Sequence, residues 1–192
     1  RIYPRYSDYI DPKPIDLAAA QALLAPGDAI VLSTADGAHV FNILVTKEDF
    51  AFHDFAWTFA IEKDGSRQQL SGGTKEIQGY VDRIVCSIDS AGCKGGMLAP
   101  APNAFDLEAA YSLYRAILGP FEDKLSSVRH IYVVADGDMA RIPLGLLITK
   151  PATSFDDASW LSDRFSITRL PSISSLSLAK NQAKPAYGED FV

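Results

Sequence analysis

The stretch from Ile131 to Leu147 reads IYVVADGDMARIPLGLL. Its first five residues, Ile131-Tyr132-Val133-Val134-Ala135, form an unbroken apolar run closed by Asp136-Gly137-Asp138. A run that short, bounded by turn residues, predicts a parallel strand buried on both faces, because a half-exposed strand alternates and a buried helix is longer. The Asp-Gly pair predicts a sharp exit from that strand, with a permissive backbone at Gly137. Pro143 keeps the next apolar segment, Ile142 to Leu147, from being a central strand, since proline has no N–H to give a ladder. Parallel strands are joined by crossovers, usually helical. The stretch therefore points to an α/β domain.

Working toward the N-terminus, Leu107, Ala110, Tyr111, Tyr114, Ile117 and Leu118 recur at helical spacing, and Gly119-Pro120 breaks the pattern. A short helical turn through Phe121 and Leu125 is expected next. Ile77, Val81, Ile84, Val85 and Ile88 predict an earlier amphipathic helix with Thr74 as its N-cap. Residues 90–104, rich in glycine and proline, predict a loop. Before these helices the pattern is β. Ala29 to Ser33 reads as a strand, Ala35-Asp36-Gly37-Ala38 as a turn, and His39 to Thr46 as a return strand apolar on both faces. Lys47-Glu48-Asp49 is a second turn. The aromatic-rich run Phe50 to Ile61 supplies one or two more strands, ended by Lys63-Asp64-Gly65. Asp16 is placed to cap a helix from Leu17 to Ala25 that Pro26-Gly27 stops. Residues 1–15 read as a linker.

Toward the C-terminus, a polar loop carries Asp156-Asp157. Phe165 to Leu170 alternates like a strand, and Pro171 closes it. Ser172 is placed to cap a short helix, Ile173 to Ala179, and the tail from Asn181 is polar. The expected fold class is α/β: a β-meander followed by helices packed on a mixed or parallel sheet.

The chain has 192 residues, 47% hydrophobic and 22% charged, which suits one globular domain with a core of its own. Its net charge is -6, from 18 basic and 24 acidic residues, which argues against nucleic acid and against anionic membranes as partners. No apolar run reaches the roughly 18 residues of a membrane span. The two cysteines, Cys86 and Cys93, make no disulfide framework, and their C-x6-C spacing matches no zinc motif. A reducing compartment, the cytoplasm, is the expectation.

Several constellations carry chemistry. Cys86 falls on a helix beside core position Val85, and Cys93 falls in a glycine-rich loop; neither follows an apolar strand, and both read as structural. His39, His53 and His130 are scattered without metal spacing. Ser71-Gly72-Gly73-Thr74-Lys75 lacks the full phosphate-loop pattern, and Ser172, Ser174, Ser175 and Ser177 sit in no nucleophile elbow. Asp136 and Asp138, two apart after a buried strand, could hold Mg²⁺ through oxygen ligands. The pair resembles the D-x-D of haloacid-dehalogenase phosphatases, which implies Asp136 as nucleophile and Asp138 as acid/base. Ala140 stands where that family has Thr or Val. The paired acids Asp156-Asp157 do not follow a strand. A tight turn is the competing reading of Asp136 to Asp138.

The ordered series of segments resembles the CHAT domain, a caspase-like domain found after tetratricopeptide repeats. Leu23 to Val31 (LLAPGDAIV) resembles that family's opening, and His39 to Thr46 its next strand. Tyr111 to Pro120 (YSLYRAILGP) is similar to its helix. Ile131 to Leu147 is similar to its most recognisable segment, and Phe165 to Leu176 (FSITRLPSISSL) to its "PSxxxL" segment. The resemblance spans about residues 20–180. Ala135 replaces the usual proline, and Asp138-Met139 a more apolar pair. Residues 1–15 resemble the connector that follows upstream repeats.

The resemblance implies a cysteine endopeptidase of the caspase–separase kind, whose catalytic His and Cys lie on strands after the "PSxxxL" helix. No residue here matches that dyad, so none is carried over as catalytic, and no cofactor is implied. Residues 16–192 then form the non-catalytic front half. Tyr187 to Val192 stands where the second half begins. The implied partners are the domain's own C-terminal half, upstream tetratricopeptide-type repeats, a protein or peptide substrate or regulator, and other copies of the chain by self-association. The alternatives are an inactive interaction or sensor module of the same fold, and a Mg²⁺ phosphohydrolase using Asp136 and Asp138.

Overall fold

The computed structural model describes residues 14–36, 39–56, 58–63, 66–71, 74–89, 93 and 105–181. The expected linker over 1–15, most of the expected loop over 90–104 and the tail after Asn181 lie largely outside the described residues. The chain is α/β. Its elements are α1 (Leu17–Ala22), β1 (Asp28–Asp36), β2 (His39–Thr46), β3 (Phe50–Ala56), β4 (Thr58–Lys63), β5 (Ser66–Ser71), α2 (Thr74–Ile88), α3 (Leu107–Ile117), β6 (His130–Ala135), α4 (Leu161–Arg164), β7 (Ser166–Arg169) and α5 (Ile173–Asn181). Tight 3₁₀ turns over Gly119–Lys124, Gly137–Arg141 and Leu144–Leu146 join them.

Five strands form one mixed sheet in the order β3-β2-β1-β6-β7, and β4 and β5 form a separate hairpin. β1, β2 and β3 are antiparallel neighbours, the expected meander. β6 pairs parallel to β1, with Val31 opposite Val133, and β7 pairs parallel to β6, with Ile131 opposite Ile167. The apolar run that opened the sequence reading is therefore the middle of the parallel half. Strand β5 was not expected: Ser66-Arg67-Gln68-Gln69-Leu70-Ser71 carries no alternating apolar pattern to announce it.

Side chains alternate across the sheet and build two cores. On one face, Ala29, Val31, Val40, Leu44, Ile131 and Val133 pack with Ile77, Val81 and Ile84 of α2 and Leu113 and Ile117 of α3. On the other, Ile30 and Val45 pack with Ala20 and Leu24 near α1 and Leu176 of α5, a much smaller cluster. Each fully buried Ile or Leu contributes roughly 1.5–3 kcal/mol, so the first face dominates stability. Two expected core positions change. Ile88, at the end of α2, is 53% exposed, whereas Leu113, absent from the expected stripe, is fully buried.

Caps follow from sequence. The Asp16 carboxylate accepts from the Ala19 N–H at 2.8 Å, and Asp106 accepts from Ala109 N–H at 2.9 Å. Helix α1 stops at Ala22, three residues earlier than the expected Ala25. The Ser172 hydroxyl accepts from Ser175 N–H at 3.2 Å at the head of α5.

Gly137 leaves β6 with φ at +50°, the left-handed conformation expected for it. A Cβ placed there meets nothing within 4 Å, so the penalty for substitution is backbone strain rather than a clash. Gly137→Val should cost about 1–3 kcal/mol, since a β-branched residue tolerates this conformation poorly. Gly137→Asn should cost less. Urea denaturation of the two variants checks both; an unchanged midpoint for the valine variant would show that the turn relaxes freely.

Candidate functional site

In open α/β sheets, ligands bind beyond the carboxyl ends of the parallel strands. Here that end is formed by Thr34 to Asp36 of β1, Ala135-Asp136-Gly137 after β6, and Arg169-Leu170-Pro171 after β7. Two cavities flank it. One, of about 360 Å³, lies over the sparsely covered face and is lined by Leu32, Thr34, Phe41, Ile43, Val134 and Pro171, with Asp136. The other, of about 270 Å³, is lined by Val133, Ala135, Ala140, Arg169 and Leu170.

Arg169 bridges across this end by donating from Nη1 to the Ala140 carbonyl. Partial burial holds its guanidinium below the usual arginine range. No carboxylate forms an ion pair with it among the described residues.

Asp136 is extended and ends the strand; Asp138 sits in the 3₁₀ turn. The Asp138 carboxylate is already engaged, 3.0 Å from Nη1 of Arg141. Arg141 also reaches Asp82 of α2 at 2.7 Å. The bond that Arg141 donates to the Asp82 carboxylate, more than any other contact, raises the Arg141 pKa. This triad of charges ties the turn after β6 to α2, which is a structural use of the acidic pair. No group of three or more His, Cys, Asp or Glu side chains is close enough to hold a metal ion among the described residues. The second acidic pair lies elsewhere: Asp157 accepts from the Ser154 hydroxyl at 2.8 Å within its own loop.

Both cysteines are engaged. Cys86 and Cys93 are joined by a disulfide with Cα atoms 4.4 Å apart, tying the last turn of α2 to a residue seven positions further along the chain. The C-x6-C spacing makes no framework, but it closes this one short loop. A thiol must be free and ionised to attack, so neither acts as a nucleophile in this state. Disulfides persist in oxidising surroundings and are rare in the cytosol. The clamp therefore weighs against the reducing compartment expected from the cysteine count. No helix among the described residues is long and apolar enough to cross a membrane.

The three histidines stand apart. His39, at the start of β2, has Nδ1 2.6 Å from Asp54 of β3 and stacks on Phe41 with ring centroids 5.8 Å apart. His53 projects from β3 on the main-core side, where it lines a third cavity. His130 opens β6, at the amino end of the sheet, with Nε2 2.8 Å from the Thr168 hydroxyl. This is a hydroxyl–imidazole contact, and Asp28 lies near it. The Asp28 carboxylate is 3.9 Å from His130 Nδ1, too far for the hydrogen bond that orients a catalytic base. None of the three cavities described here includes Thr168. The contact joins β6 to β7 across an exposed part of the sheet.

One buried polar pair escaped the sequence reading. Ser33 of β1 donates to Asn42 of β2 at 2.7 Å, and Asn42 Nδ2 donates to the Ala116 carbonyl of α3 at 2.8 Å. Both side chains are buried. The signal available was an asparagine in the middle of the apolar run Val40-Phe41-Asn42-Ile43-Leu44-Val45. Searches against known protein families, curated proteins and solved structures find no match to this chain.

Proposed function

We propose that the chain is the non-catalytic front half of a CHAT-type, caspase-like domain, which packs against and supports a catalytic half encoded after Val192. The observation that carries this reading is the order of the sheet. Its parallel strands run β1-β6-β7 and end at β7, a four-residue strand with no neighbour on its far side among the described residues. A further parallel strand would continue the series, and its carboxyl end would lie beside Asp136 and Arg169. The engaged cysteines and the separated histidines support a supporting role rather than a complete dyad. The same fold could serve as an interaction module without catalysis. Exposed Phe50 and Phe52 on β3 favour that second reading, because large apolar side chains in water mark contact surfaces. Nothing in the geometry favours the Mg²⁺ phosphohydrolase.

The test is to purify this chain alone and together with the polypeptide encoded directly after Val192. Alone, the chain should cleave no member of a fluorogenic peptide panel and should self-associate in light scattering as concentration rises. Together, the two should co-purify in equal amounts. Cleavage by the chain alone that Cys86→Ala or Cys93→Ala abolishes, or a downstream polypeptide that does not co-purify, would overturn the reading.

A further inference from the structure

The largest cavity described here is remote from the parallel-strand ends. It is a cleft of about 650 Å³ between β3, the last turn of α3 and residues 149–150. That volume lies within the range of small-molecule sites. Its wall is divided. Phe55, Tyr111 and Tyr114 supply aromatic surface, and Arg115, Lys150 and His53 supply nitrogen. Helical spacing explains the first grouping: Tyr111, Tyr114 and Arg115 stand at i, i+3 and i+4 on one side of α3.

The charges are unbalanced in favour of an anion. Arg115 and Lys150 form no ion pair among the described residues. The carboxylate in the wall, Glu122, is already held by Arg164 and by the Tyr114 hydroxyl. So the acid in the cleft is neutralised while two bases are not, in a chain whose net charge is -6. The carbonyls of the α3 terminus do not cancel this. Tyr114 C=O accepts from Leu118 N–H, and Ala116 C=O accepts from Asn42. A second observation is independent of charge. Nδ1 of His53 is buried and has no hydrogen-bond partner among the described residues. The His53 ring stands in the wall of the cleft, so a molecule bound there changes its surroundings.

We propose that this cleft binds a small organic oxyanion, a carboxylate or phosphate carried on a flat apolar body. The charged head lies toward Arg115 and Lys150, where guanidinium and ammonium give charge-assisted hydrogen bonds. The apolar body lies against Phe55, Tyr111 and Tyr114. The site is separate from the CHAT-type reading and stands or falls without it.

The test titrates the full chain calorimetrically with phenyl phosphate, phenylacetate, inorganic phosphate and phenol, while the His53 ring nitrogen shifts are followed by NMR. At least one of the two aromatic anions should bind one to one and move the His53 Nδ1 resonance. Whichever of the two binds more tightly identifies the head group. Inorganic phosphate, without the body, and phenol, without the charge, should each bind at least about tenfold more weakly. The double variant Arg115→Gln/Lys150→Gln changes two exposed side chains, and its circular dichroism should be unchanged. It should lose affinity about tenfold or more. The proposal is overturned if neither aromatic anion binds, if phenol binds as tightly as they do, or if the folded double variant keeps full affinity.

Discussion

Replacing Asn42 with leucine should destabilise the domain by roughly 2–5 kcal/mol, because two buried groups lose their partners together. The reason begins at Pro120. In a continuing helix the Ala116 carbonyl would accept from the N–H four residues on, and residue 120 is a proline with none. Asn42 supplies the missing donor from the sheet at 2.8 Å, and its own Oδ1 accepts from the Ser33 hydroxyl at 2.7 Å. One side chain thus joins β1, β2 and the end of α3 in the main core. Leucine has the same branching and the same number of side-chain heavy atoms but is bulkier, so no cavity accompanies the loss and any overpacking adds to it. The Ser33 hydroxyl and the Ala116 carbonyl are left buried and unsatisfied, at about 1–3 kcal/mol each. Against a typical total of about 5–15 kcal/mol, that is a large fraction. Ser33→Ala made in the Asn42→Leu background removes one orphan and should recover part of the loss. The four proteins form a double-mutant cycle, read by urea denaturation, with a coupling on the order of 1 kcal/mol. A change below about 1 kcal/mol for Asn42→Leu would show that the carbonyl finds another donor.

The asparagine also shows where sequence reading reached its limit. His39 to Thr46 is a strand over the expected residues, and Ile131 to Ala135 is a parallel strand as its apolar run announces, with Ile131 and Val133 buried and Tyr132, Val134 and Ala135 half-buried. Both are set by local apolar pattern, which a sequence displays directly; the expected burial on two faces is met on one, because Phe41, Ile43, Tyr132 and Val134 stay half-buried on the sparsely covered side. Gly137 likewise takes the positive φ that an Asp-Gly exit favours. The Asn42 bond to residue 116 depends on how α3 lies on the sheet, and no local signal encodes that. The disulfide brings residues 86 and 93 together, and C-x6-C alone did not announce it. The anion cleft brings together residues 53, 111, 114, 115 and 150. No motif spans such separations, and each of these residues alone reads as an ordinary surface or core position.

The second large effect concerns the open side of β7. Ser166 N–H donates to the Arg129 carbonyl at 2.9 Å, and Leu170 N–H donates to Val133 at 2.8 Å. Strand alternation turns Thr168 N–H the same way, toward β6. Ile167 and Arg169 then direct their N–H groups to the opposite side, where no strand pairs with them among the described residues. Unpaired edge groups recruit a further strand, and a short edge with a charge and a nearby proline is also how an edge is blunted. Arg169 and Pro171 supply those blunting features, so a complete sheet and an interrupted one are the two alternatives. Arg169→Pro separates them, because proline on the outward-facing N–H leaves the β6 ladder intact while removing a donor for any incoming strand. The variant should fold but should no longer retain the polypeptide encoded after Val192.

Residue-resolved hydrogen exchange at β7 tests the central claim most directly. In the isolated chain, Ser166, Thr168 and Leu170 should be protected, while Ile167 and Arg169 exchange at nearly the free rate. In the longer product of the same gene, Ile167 and Arg169 should become protected by a factor on the order of 100 or more. Protection of both amides already in the isolated chain, or free exchange of both in the longer product, would contradict the account.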